Sequence, residues 1–157
     1  MSSRAKLMSM ACALLGAGLI GASPPLLSQV AGEYRHTFKN GDVSGATYET
    51  TDVVKIYPLD WHRALISFEL NFFNGHSCTV YGVANLEGAK LVYRDKAEWR
   101  PDEPDCELRV WRDGTKLRWE DGGTCQFHCG ARGGLSNGEI PFGSRRPLRT
   151  KPASPLL

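Results

Sequence analysis

Two cysteines, a histidine and an arginine fall within a span of eight residues, as Cys125, His128, Cys129 and Arg132, with Gly130 among them and Gly133 and Gly134 directly after. Upstream lie His76 and Cys78, and Cys106 stands between the two groups. Thiolate and imidazole are the donors zinc takes in tetrahedral sites, so His76, Cys78, Cys125, His128 and Cys129 make up one donor set. Their spacings, His-x-Cys and Cys-x-x-His-Cys, are not those of zinc knuckles. In an oxidising compartment such thiols close into disulfides before metal is retained. The adopted reading is therefore two disulfides among Cys78, Cys106, Cys125 and Cys129, with no metal and no cofactor. A small metal-dependent enzyme built on His76, Cys78, His128 and a cysteine is the alternative.

Hydrolysis would need a nucleophile beside a base. Ser77, Ser136, His62, His76 and His128 are present, but none lies in a Gly-x-Ser-x-Gly elbow or a His-Glu-x-x-His helix. No residue is assigned as catalytic, and the chain is read as non-enzymatic. Residues 130–134 look like an anion-cradling turn, yet no helix follows them. The glycines read instead as a tight turn that uses positive φ. Arg132 is expected to lie along this turn and pair with a carboxylate such as Glu107 or Asp121. Arg132, His128 and His76 remain as candidate binding residues.

The elements that must position these groups begin after residue 23. Arg4 and Lys6 precede an uncharged apolar run from 7 to 22, and Pro24-Pro25 ends it. That order is the pattern of a secretory signal peptide, and the run is short of the about 20 residues of a membrane span. Cleavage after residue 22 or 23, or after Ala31, fits the small residues there, and an uncleaved anchor is the alternative. Cys12 belongs to this segment. The whole chain has 19 basic and 17 acidic residues, so losing Arg4 and Lys6 leaves the mature part formally neutral. A neutral chain lacks the basic face that nucleic-acid binding requires. Charge is concentrated locally, with Glu98, Asp102, Glu103, Asp105 and Glu107 in one stretch and Arg145, Arg146, Arg149 and Lys151 in another. Each reads as a solvated surface or, alternatively, as a partner-binding patch.

From residue 32 the chain alternates β-rich runs with turn signals. Strands are expected near 32–38, 43–57, 62–72, 77–86, 89–95, 105–112, 115–121 and 138–142. Asn40-Gly41, Asn74-Gly75, Glu87-Gly88 and Asp113-Gly114 mark turns. The clearest alternation puts His62, Ala64, Ile66, Phe68, Leu70 and Phe72 on one face, as in a sheet packed on one side. The fold class is all-β: an up-and-down antiparallel meander of about eight strands, a small lipocalin-like barrel, with a two-sheet sandwich as the alternative. The chain divides into a signal peptide (1–23), a linker (24–31), the β-domain (32–143) and an extended basic tail (144–157).

In such a meander all four cysteines of the domain meet at one rim, because Cys78 and Cys106 begin strands and Cys125 and Cys129 follow one ending there. Cys78 and Cys106 stand two strand spacings apart, about 10 Å, beyond the usual Cα limit for a disulfide. Folding back of the glycine-rich loop favours Cys78 with Cys129 and Cys106 with Cys125 by a small margin. Cys78–Cys106 with Cys125–Cys129 stays open.

Several blocks carry a resemblance: Gly75-His76-Ser77-Cys78, Gly82-Val83-Ala84, Leu91-Val92-Tyr93-Arg94, Cys125-x-x-x-Cys129-Gly130-Ala131-Arg132-Gly133, and Pro141-Phe142-x-Ser144-Arg145-Arg146-Pro147. Together they resemble a family of uncharacterised secreted proteins of Gram-negative bacteria, over most of the mature chain. Similar C-terminal blocks occur in lysozyme-inhibitor-like proteins, whose cysteine-rich helical segment has no counterpart here. The resemblance implies a periplasmic or secreted protein that binds a protein partner or small ligand, with an envelope-directed hydrolase such as lysozyme among the candidates. A structural envelope protein with no soluble ligand is the remaining alternative.

Overall fold

The computed structural model describes residues 26–149. The proposed signal peptide lies outside the described residues, as do 150–157 of the tail. A five-residue helix α1 (Leu26–Val30) is followed by eight strands: β1 (Gly32–Gly41), β2 (Thr47–Pro58), β3 (Arg63–Asn71), β4 (Ser77–Glu87), β5 (Lys90–Asp95), β6 (Cys106–Asp113), β7 (Lys116–Glu120) and β8 (Gly138–Pro141). Each strand pairs antiparallel with the next, in chain order. The ends of the sheet meet where Glu33 N–H donates to Arg146 O (3.0 Å) and Arg146 N–H donates to Glu33 O (2.7 Å). The result is a nearly closed eight-stranded meander barrel, as the alternation in the sequence leads one to expect.

The interior is packed solid. Ile66, Phe68, Val54, Val80, Leu108 and Leu117 are all fully buried, and the Phe68 ring meets Trp119 edge-on at 5.3 Å. The inward run of β3 behaves as its alternation predicts, with Ala64, Ile66, Phe68 and Leu70 buried. Leu65 departs from the one-sided expectation, being buried on the outer face. Its cross-strand neighbours there are Tyr57 and Val83, and their side chains shield it. The small inward residues of β4 make room for aromatic bulk. A Cβ on Gly82 would stand only 2.4 Å from Tyr93 Cε2, so the ring occupies the space a side chain would need.

Two boundaries differ from the sequence reading. Asn40 and Gly41 are not the first turn but the end of β1, paired with Tyr48 and Thr47. The chain reverses over 42–46 instead. There Asp42 Oδ1 accepts hydrogen bonds from the Ser44 amide (2.8 Å), the Ser44 hydroxyl (2.5 Å) and the Ala46 amide (3.2 Å). A side chain that satisfies its own turn outcompetes the dipeptide signal two residues earlier.

The linker drawn at 24–31 is corrected as well. Leu27 and Val30 of α1 join the core, and the Tyr34 hydroxyl donates to Val30 O at 2.7 Å. Burial pushes that phenol up to about 12, so it remains a donor. The first part of the tail is also built in, since Arg146 closes the barrel and Arg145 donates to Gln29 O and faces the Phe142 ring. Among the described residues, no helix is long and apolar enough to cross a membrane.

Candidate functional site

Strand direction places the 42–46 turn, the 72–76 turn, the acidic loop 96–105 and the cysteine-bearing loop 121–137 at one end of the barrel. Cys78 is bonded to Cys129 and Cys106 to Cys125. The four cysteines share one rim, and the loop folds back onto β4 as the favoured pairing requires. Gly130 N–H donates to Ser77 O at 2.8 Å, which continues the β4 ladder for one bond.

Asp121 organises the start of this loop. It is 5% exposed; Oδ1 accepts from the Gly123 amide (2.9 Å) and the Ser136 hydroxyl (2.8 Å), and Oδ2 accepts from the Cys125 amide (3.0 Å). Thr124 Oγ1 donates to Asp121 O (2.8 Å) and accepts from the Glu107 amide (3.0 Å), which ties the loop to β6. The glycines of 130–134 are not at positive φ, contrary to the turn reading. Their role is close approach. A Cβ on Gly133 would lie 2.9 Å from Cys78 Sγ and 3.1 Å from the Phe72 ring, so the Cys78–Cys129 disulfide needs a bare backbone there.

The three candidate residues take separate positions. His76 is half-buried, with Nδ1 against the Gly130 backbone. His128 sits on the other side of the loop; its ring centroid is 4.4 Å from Phe127 and 6.0 Å from Tyr93. Its Nε2 lies 3.3 Å from Asp95 Oδ2, out of line for a hydrogen bond, and the Tyr93 hydroxyl donates to that same oxygen at 3.0 Å. Arg132 corrects its expectation: it is exposed, and among the described residues it pairs with no carboxylate. Glu107 is already held by Arg94 and Arg109, and Asp121 is spent on the loop amides. The donor set for zinc is dismantled too, because Cys78 and Cys129 share one disulfide. No group of three or more potential metal ligands converges among the described residues.

Burial lowers the pKa of His128, outweighing the pull of Asp95 and the Thr79 carbonyl toward the charged form. An unfolded histidine titrates near 6.5. Above that value both states are neutral; as pH falls, the unfolded chain takes the proton first. His128 therefore contributes stability above about pH 6.5 that is lost as pH falls toward its lowered folded value. In His128→Gln the unfolding midpoint, followed by circular dichroism between about pH 7 and 5, is expected to fall less steeply than in the parent. An unchanged slope would remove the buried imidazole from this account.

The rim also has a feature that the three candidates did not mark. A cleft of about 810 Å³ opens between the ends of β5 and β6 and the acidic loop, lined by Asp95, Glu98, Trp99, Asp105 and Glu107 together with Arg94 and Lys96. Trp99 is 65% exposed, and the Arg100 guanidinium lies 4.3 Å from its ring centre. Arg94 is paired with Glu87 (2.5 and 3.0 Å) and with Glu107 (2.8 Å), so its guanidinium spans two carboxylates at one wall. Lys96 reaches Asp105 at 3.6 Å, and Glu98 is paired with no cation among the described residues. The signal in the sequence was the tryptophan itself, an aromatic in an otherwise polar, proline-bearing loop. No protein family, curated protein or solved structure matches the chain.

Proposed function

We propose that the protein is a non-enzymatic, periplasmic or secreted barrel that binds a protein partner at the disulfide rim, with an envelope-directed hydrolase such as lysozyme as the leading partner. The packed interior carries this reading: the space a lipocalin-like barrel offers a small ligand is filled here by Ile66, Phe68, Trp119 and their neighbours. Binding then falls to the surface, where four carboxylates and two cations surround the exposed Trp99. Such a cleft suits a cationic protein surface, since tryptophan anchors dominate interface energetics and complementary charge speeds encounter. The two disulfides are compatible with an oxidising compartment outside the cytoplasm. The resemblance of the C-terminal blocks to those of lysozyme-inhibitor-like proteins supports the same class of partner.

Titration against a lysozyme-type hydrolase, with heat and cell-wall lysis both recorded, tests the partner. Stoichiometric loss of lysis is expected, with Trp99→Ala weakening binding by at least about tenfold. Unchanged lysis with no heat would exclude that hydrolase. If capture from periplasmic extract also enriched no protein, the binding reading itself would fall.

A further inference from the structure

The opposite end of the barrel carries a second charged feature. Directly opposed residues of an antiparallel bridge project to the same face. Tyr34 points into the core, so its neighbour Glu33 points outward, and Arg146 opposite Glu33 does the same. Arg35 follows two residues along on that face, and Lys55 stands opposite Glu33 on the β2 side. Here a cleft of about 400 Å³ is lined by Glu33, Arg35, Arg146, Pro147 and Arg149. Glu33 Oε1 lies 3.0 Å from Arg35 Nη1. Arg146 and Arg149 meet no carboxylate among the described residues.

We propose that this cleft is a binding site for a phosphate group, with Arg35, Arg146 and Arg149 as its donors. Three guanidiniums and one carboxylate leave two positive charges in the cleft, which matches a phosphomonoester carrying nearly two negative charges at neutral pH. Guanidinium forks fit phosphate oxygens in pairs. The site is also preorganised. Both backbone groups of Arg146 are held by Glu33, Pro147 restricts the residue before it, and Glu33 orients Arg35. Less ordering then remains to be done on binding. The phosphate comes either from a soluble phosphomonoester or free phosphate, or from the headgroup of a phosphomonoester lipid.

The test uses the full chain at about 0.15 M salt, where weak surface pairing is screened. Inorganic phosphate is titrated by calorimetry, and flotation is measured with vesicles of phosphatidylcholine with and without phosphatidic acid. Saturable binding is expected in at least one arm. Arg146→Gln with Arg149→Gln should weaken it by about tenfold or more. Glu33→Gln, which removes the competing carboxylate, should tighten it, a gain that a misfolded variant cannot mimic. Lys39→Gln, at an exposed position toward the far end of β1, should leave it unchanged. Phosphate binding without flotation assigns a soluble source, and flotation competed by phosphate assigns the lipid. No saturable binding in either arm, or equal binding by the double arginine variant, overturns the proposal.

Discussion

Replacing Cys78 and Cys129 together by alanine is expected to lower the unfolding free energy by about 4 kcal/mol and the melting temperature by about 15 °C. This disulfide joins positions 51 residues apart, so its removal frees a large closed loop in the unfolded chain. The same change at Cys106 and Cys125, 19 residues apart, should cost about 3 kcal/mol on the same chain-entropy argument. Chemical denaturation of both variants gives the comparison. The order matters more than the sizes: if the shorter loop cost more, native packing at Cys106 and Cys125 would outweigh chain entropy. The Cys78–Cys129 variant should also release the loop from β4, seen as faster exchange of the Gly130 amide that now donates to Ser77.

Asp121→Ala carries the second large effect, a loss of about 2–4 kcal/mol. The carboxylate is nearly inaccessible and accepts three hydrogen bonds. Its removal strands the Cys125 amide in a buried position with no acceptor. Asp121→Asn keeps one oxygen acceptor and should cost roughly half as much. Denaturant midpoints measure both, and amide exchange at Gly123 and Cys125 localises the damage. An Ala variant as stable as the parent would mean that the loop is held by its disulfides alone. Neither substitution touches Trp99, so partner binding in the folded variants separates rigidity of the rim from direct contact.

The strands were legible because period-two patterning survives wherever one face is buried, as in Ala64, Ile66, Phe68 and Leu70. The meeting of the cysteines followed from counting strand directions, which needs no side-chain detail. Other features had no local signature. Helix α1 contributes only Leu27 and Val30 to the core, too few for a periodic pattern, so a core-packed turn of helix reads as a linker. The first turn was displaced because Asp42 bonds to its own backbone, a preference weaker in sequence than Asn-Gly. Arg132 was expected to find a carboxylate that other residues had already taken. The arginine cleft unites positions near 35 with positions near 146, and only barrel closure at Glu33 and Arg146 brings them together.

The even number of strands has a further consequence. A chain that enters an up-and-down barrel at one end and crosses it an even number of times leaves at the end where it entered. Helix α1 and residues 147–149 therefore share the floor, and the disulfide rim stands opposite. β4 is 11 residues long; at a rise of about 3.3 Å per residue and a tilt of about 40°, the rim stands roughly 25–30 Å above that floor. Among the described residues, both ends of the chain therefore stand at the arginine cleft, and Trp99 with its carboxylates stands at the end that neither of them reaches.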